Sequence, residues 1–242
     1  MDTPLSLEEL YSLLLESYGK QGWWPVFSRR NEAGFDGRGY HPERPEIPVD
    51  DKDRWEIAIG AILTQNTAWT NVEKAIASLI EDAIESPHAI LTASPEALAH
   101  AIRPSGYFNQ KALRLKRFAE FYQTLKGRVP AREELLSLSG IGPETADSML
   151  LYAWQQPFFV VDVYTIRILR RIGFSNECFT LTQSSKRYEH VQYFITLQLN
   201  PVPKTSYYQE FHALFVRHAK EYCGAKARCP GCPLEAHCRK ML

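Results

Sequence analysis

Along most of the chain, apolar residues recur at intervals of three and four, the spacing that places them on one face of an α-helix. Leu7, Leu10, Tyr11 and Leu14 form the first such stripe, and Ser6 with Glu9 makes a capping-box pair at its start. The same periodicity predicts helices over 55–63, 71–85, 95–103, 109–126, 132–138, 143–152, 162–172, 185–199 and 207–221. Pro143 falls in the first turn of its helix, where a missing N–H is no loss. The pattern stops over 30–53, where Gly34, Gly37, Gly39, Pro42, Pro45 and Pro48 are mixed with charges, and this stretch reads as an irregular surface loop. Phe158-Phe159-Val160-Val161 is strand-like, but four apolar residues between helices fit a buried connector better than a sheet. No repeat of about 20–50 residues is visible. The expected fold class is all-α.

A length of 242 residues allows one large domain or two small ones with a sizeable core. With 45% hydrophobic and 23% charged residues, the chain is neither a disordered polymer, a collagen-like fibre nor a coiled-coil rod. No apolar run approaches the roughly 20 residues needed to cross a bilayer. Met1-Asp2-Thr3-Pro4 lacks the basic-then-apolar pattern of a signal peptide, so an intracellular protein without membrane association is expected. Disulfides are disfavoured there.

The 28 basic and 28 acidic residues sum to zero, which by itself speaks against nucleic acid. The distribution changes that. Residues 103–128 hold Arg103, Lys111, Arg114, Lys116, Arg117, Lys126 and Arg128 against Glu120, and a second basic stretch covers 204–242. The acids gather in 43–56 and 73–99. Solvated helix faces and a phosphate-facing surface opposed to an acidic back both fit this segregation.

Three features carry candidate chemistry. The first is Cys223, Cys229, Cys232 and Cys238, a C-x5-C-x2-C-x5-C arrangement in which four thiols can surround one compact centre. Tetrahedral zinc is one reading, but zinc ribbons use two C-x2-C hooks and only one is present. A single loop wound around a [4Fe–4S] cube suits the spacing better. Cys178 stands apart and reads as an ordinary partly buried cysteine. The second feature is Leu138-Ser139-Gly140-Ile141-Gly142-Pro143-Glu144-Thr145-Ala146. Here one helix ends, two glycines turn, and another helix begins with backbone N–H groups suited to a phosphate. A plain helix–turn–helix connection would share the two glycines. Asp147, in the second hairpin helix, reads as a surface residue. The third feature is Asp162, after an apolar run and before a helix. It is either a simple N-cap or a capping carboxylate that also faces a cleft and is held ionised by backbone donors.

Hairpin, downstream aspartate and terminal four-cysteine loop, in this order, resemble the endonuclease III superfamily of DNA glycosylases over roughly 55–242. Gly60-Ala61-Ile62-Leu63-Thr64-Gln65-Asn66-Thr67-Ala68-Trp69, Ile102-Arg103-Pro104-Ser105-Gly106-Tyr107-Phe108-Asn109-Gln110-Lys111-Ala112 and Trp23-Trp24-Pro25 look like its 3-methyladenine DNA glycosylase III branch. The resemblance implies two helical lobes around a cleft: a barrel lobe with the hairpin over 54–155, and a second lobe from 1–29 plus 156–242 with the iron–sulfur loop. Residues 30–53 have no counterpart and read as an inserted loop, and the first helix is expected to pack beside the cysteine-bearing end.

The resemblance further implies that Asp162 is catalytic. It stabilises the oxocarbenium-like sugar left when the base departs and orients the attacking water. Trp23 and Trp69 would sandwich the flipped base, with Trp24 and Pro25 completing the wall. A cationic alkylated purine gains about 1–2 kcal/mol from each such desolvated aromatic face. Tryptophans in general are core residues, an ordinary role that each of these would also fit. Glu144 occupies the position where bifunctional members carry a Schiff-base lysine, so strand-cleaving lyase activity is not expected. Glu144 would bond the base edge or serve only the helix dipole. Ala61 replaces the glutamate of adenine-mismatch enzymes. Gln65 or Asn66 would fill the space vacated by the base, or merely cap a helix. Gly140, Gly142 and Lys111 would contact DNA phosphates.

The resulting expectation is a monomeric, monofunctional DNA glycosylase with a [4Fe–4S] cluster. It would act on alkylated purines of the 3-methyladenine class in double-stranded DNA and reside in the cytoplasm at the nucleoid. The alternatives are an endonuclease III-like enzyme for oxidised pyrimidines or mismatched thymine, and a non-catalytic iron–sulfur DNA-binding protein.

Overall fold

The computed structural model describes residues 5–174, 184–201 and 203–240, so Cys178 lies outside the described residues. Among the described residues there is no strand, and the helices are α1 (Leu7–Tyr18), α2 (Asp51–Leu63), α3 (Trp69–Glu81), α4 (Pro87–Thr92), α5 (Pro95–Ala101), α6 (Phe108–Leu125), α7 (Arg132–Leu136), α8 (Pro143–Ser148), α9 (Val163–Ile172), α10 (Ser184–Gln198) and α11 (Thr205–Glu221). Phe159, Val160 and Val161 are the expected buried connector. The short helix α4 has too few apolar repeats to stand out as a pattern. It is recognisable instead by Ser86, which caps Ala89 N–H at 3.1 Å, and by Pro87 in its first turn.

The chain divides into two compact units, Trp24–Gln156 and Met1–Trp23 with Pro157–Leu242. In the first, α2 is the central helix. Every residue from Trp55 to Leu63 is buried, as expected of a helix surrounded by others rather than one with a single apolar stripe. It packs against α3, α6 and α8, and Trp55 stacks on Phe118 of α6 at 5.5 Å. The helix expected over 143–152 is α-helical only to Ser148 and continues as a π-helical turn, Met149–Ala153, all of it buried.

Residues 24–29, expected with the terminal segments, belong to this central unit, and named contacts hold them there. Arg29 pairs with Asp53 at 2.6 Å and Asp50 at 2.8 Å, and the buried Glu56 accepts the Ser28 N–H at 3.1 Å. The stretch up to Asp50 contains no α-helix, yet it is tightly tied. The buried His41 places Nε2 2.8 Å from Trp24 O and Nδ1 3.0 Å from Arg44 O, and Arg38 pairs with Glu73 of α3 at 2.8 Å. The irregular loop is therefore the outer support of Trp24.

The other unit packs α1 and α9 against α11. The capping box is formed: Glu9 N–H donates to Ser6 Oγ at 3.1 Å and Ser6 N–H to Glu9 Oε2 at 2.8 Å. Phe211 and Phe215 of α11 stack at 4.6 Å, with Phe159 edge-on to both. The first helix reaches the cysteine-bearing end through Tyr18, whose hydroxyl lies 2.9 Å from His218 Nδ1.

Candidate active site

The glycine hairpin is formed. α7 ends at Leu136, Ile141 is buried as a peg, and Gly140 and Gly142 are exposed. Gly140 has φ 92°, and a Cβ there would lie 2.3 Å from Arg114 Nε, so only glycine fits both the backbone and the space. Arg114 crosses the hairpin and donates to Gln65 Oε1 at 2.5 Å. Gln65 Nε2 in turn donates to Gly140 O at 3.0 Å and Thr145 Oγ1 at 2.9 Å. Gln65 is thus fastened to the hairpin, whereas Asn66 is exposed with a left-handed φ of 54°.

Two readings of the hairpin region are corrected. Asp147 is not a surface residue: it is fully buried, and Arg132 grips it bidentately at 2.6 and 3.0 Å, stitching the two hairpin helices together. Lys111 is not a phosphate contact. It is 1% exposed, and its Nζ donates to Leu63 O at 2.8 Å and Ser105 O at 2.7 Å, closing the end of α2 onto the 103–106 turn. Burial pulls its ammonium down to a pKa of about 8. Lys116 likewise caps α4 by donating to Ile90 O, Leu91 O and Ala93 O. The basic run over 103–128 therefore spends several of its charges inside the fold. Arg103, Arg117, Lys126 and Arg128 are its exposed members, the last paired with Glu134 at 2.6 Å.

The central unit carries an aromatic cluster. Trp24 meets Trp69 edge-on at 5.3 Å and Tyr152 of the π-helical turn at 5.1 Å. Gly60 makes room for it: a Cβ there would lie 3.1 Å from Trp24 Nε1 and 3.5 Å from the Trp69 ring. Trp24 and Pro25 are buried, while Trp69 is partly exposed. Glu144 is exposed in the first turn of α8.

In the other unit Asp162 caps α9. Its Oδ1 accepts the Thr165 N–H at 2.7 Å and the Thr165 hydroxyl at 2.8 Å. Its Oδ2 lies 3.7 Å from His212 Nε2, and both side chains are buried. Burial alone would raise this carboxyl's pKa. The His212 imidazole beside it and the Thr165 donors outweigh burial and hold it below the ordinary range. A buried carboxylate kept ionised by fixed donors is suited to meeting a developing positive charge. Trp23 packs edge-on against His212, centroids 5.8 Å apart. Its loop is held by Glu210, which accepts the Gln21 N–H at 2.6 Å. Neither His212, Thr165 nor His41 carries a motif, and Thr165 is foreshadowed only as a hydroxyl three residues after a cap.

All four terminal cysteines line one pocket against α9 and α11. Arg171 Nη1 donates to Cys223 Sγ at 3.3 Å and to Gly224 O at 2.7 Å, and the Lys240 N–H points at Cys238 Sγ at 3.4 Å. His218 Nε2 stands 3.8 Å from Cys232 Sγ. Burial pushes the Cys232 and Cys238 thiols up, and the neighbouring cysteines add to this. Among the described residues no three Cys, His, Asp or Glu side chains converge on a single metal ion.

Comparison with known proteins agrees with this arrangement. The model of the HhH-GPD superfamily of base excision DNA repair proteins matches residues 59–191, more than half of the chain. A Methanocaldococcus jannaschii protein named "Putative DNA repair glycosylase" is 37% identical over 95% of this chain and 94% of its own length. The H. pylori 3-methyladenine DNA glycosylase bound to 1,N6-ethenoadenine is similar in structure, with a TM-score of 0.65 and 26% identity over 89% of this chain and 95% of that one. A non-covalent endonuclease III–DNA complex shares the fold at a TM-score of 0.72 and 22% identity, covering 99% of this chain and 97% of that one. The chain belongs to the HhH-GPD superfamily of base excision DNA repair proteins and is a DNA glycosylase.

Proposed function

We propose that the enzyme is a monofunctional glycosylase for alkylated purines of the 3-methyladenine class, acting on double-stranded DNA. The observation that carries the substrate class is the aromatic cluster of Trp24, Trp69 and Tyr152 built over Gly60. A cationic purine is drawn to electron-rich indole faces, and neutral bases gain less. In the other unit, Trp23 packs edge-on against His212, next to Asp162. The structural likeness to the 3-methyladenine enzyme of H. pylori supports the same reading.

The chemistry follows from the charge already on such a base. The C1′–N bond breaks with its electron pair passing to the cationic purine, which leaves neutral and needs little acid assistance. The sugar keeps a positive charge, which Asp162 stabilises electrostatically. Water then adds to C1′ and loses a proton. By the family resemblance Glu144 would take the position of the lyase lysine, and Lys111 is sealed against two carbonyls, so neither would offer an amine to the sugar.

Cys223, Cys229, Cys232 and Cys238 fit a [4Fe–4S] cluster. The four thiols line one pocket, and their spacing, with a single C-x2-C hook, suits a cluster better than a zinc ribbon. The Arg171 and Lys240 N–H groups would offset the negative charge on the sulfurs. When bound, the cluster ties the terminal loop to α9 and α11.

A panel of duplexes, each with one lesion, tests the function with base release and strand cleavage scored separately. The expected result is release of methylated purine, with abasic sites left intact until alkali is added. Release of oxidised pyrimidine or mismatched thymine instead would replace the substrate class. Tight binding to abasic DNA without release of any base would point to a non-catalytic binder.

A further inference from the structure

We propose that His212 is the positioning residue for the reactive carboxylate, setting the direction of Asp162 Oδ2 through its Nε2. This rests on the reading of Asp162 as the group that faces the sugar. The two oxygens of Asp162 divide their work. Oδ1 is taken by two donors of Thr165, at 2.7 and 2.8 Å, and serves the helix. That anchors one oxygen and leaves the carboxylate free to swing about it, because terminal carboxylate torsions are broad. The neighbour of Oδ2 is His212 Nε2 at 3.7 Å, slightly beyond a formed hydrogen bond. Such contacts in free enzymes tighten when substrate binds.

The imidazole is itself held. It is 5% exposed, and Trp23 packs edge-on against its ring. Glu210, two residues earlier on α11, grips the backbone of the loop that carries Trp23. One helix therefore fixes both the imidazole and the aromatic surface beside it. The residue type also matters. An imidazole Nε2 held by packing offers one fixed direction to a carboxylate oxygen, whereas the longer, more flexible stem of a lysine would not fix it.

The test uses the full chain with its metal centre intact and compares His212→Phe, His212→Gln and Asp162→Asn. Phe keeps the ring volume and the edge contact but has no donor, and Gln returns an N–H near the Nε2 position. Single-turnover base release from alkylated duplex, affinity for a duplex with an abasic-site analogue, and Tm are measured for each. His212→Phe should lose about ten- to a hundredfold in rate, the worth of one hydrogen bond to a charged group, at unchanged affinity and Tm. His212→Gln should recover to within about threefold of the parent. If His212→Phe does not fold, His212→Met removes the donor with a more adaptable side chain. A donor-free variant at the parent rate, or Gln as slow as Phe, overturns the proposal. Asp162→Asn at the parent rate would instead overturn the reading beneath it. An inactive Asp162→Asn beside a fully active His212→Phe sinks the positioning role alone.

Discussion

Replacing Asp162 by Asn separates the two functions the structure gives this side chain. Asn caps helices as well as Asp does, so the bonds from Thr165 N–H and Oγ1 should survive and α9 should stay in place. Only the negative charge is lost. Opposite charges about 4 Å apart attract by about 4 kcal/mol at an effective dielectric near 20. The sugar cation is delocalised over two atoms, so about 3–4 kcal/mol is a fair expectation, or roughly 10²–10³ in rate. The assay is single-turnover base release with enzyme in excess, which isolates chemistry from product release. Affinity for abasic-analogue DNA and Tm are followed alongside, and both should change little. Asp162→Ala, which also loses the cap, should lose about a further 1 kcal/mol of stability. An Asn variant within about tenfold of the parent, with its fold intact, would refute the electrostatic argument for this carboxylate.

Three further outcomes are expected. Arg132→Leu removes the bidentate partner of a fully buried carboxylate and should destabilise the protein by about 3–5 kcal/mol in urea unfolding, with Arg132→Leu/Asp147→Leu recovering much of the loss; a change below about 1 kcal/mol would contradict the pairing. Burial raises the Glu210 carboxyl to a pKa of about 7, so the stability linked to its protonation is present at acid pH and lost as pH rises through that value. Glu210→Gln should flatten this dependence and be more stable relative to the parent at about pH 8 than at about pH 5, and a constant Tm difference would contradict it. Asn66→Ala should slow release of a paired lesion more than of an unpaired one, because flipping a paired base costs a few kcal/mol. Gln65→Ala, which loosens the hairpin clasp, should slow both alike, so equal ratios for the two variants would remove Asn66 as the wedge.

Much of the local structure was legible in the chain because its causes are local. Helix α9 announces itself through an apolar stripe, Asp162 at its cap and Gly173 at its end, all within a dozen positions. The hairpin is legible because Gly140 needs a left-handed backbone and Pro143 tolerates only a first turn. The four cysteines are legible as neighbours because close spacing lets them line one pocket. Side-chain partnerships are different. Lys111 and Asp147 both read as exposed charges from their neighbours in sequence, yet one is sealed by the carbonyls of Leu63 and Ser105 and the other by Arg132. Nothing within a helical turn of either residue signals that.

The sequence by itself therefore determined the all-α class, the hairpin, the helix-capping aspartate and the clustered thiols, because each depends on backbone preferences and on neighbours a few residues away. Tertiary structure alone decided which charges are spent inside the fold, that Gln65 is clasped to the hairpin, that the 30–50 loop props Trp24 through His41, and that His212 lies beside Asp162, 50 positions distant in the chain. Those arrangements arise where desolvation forces a buried polar group to find a partner, and the partner is whichever group packing has brought within reach.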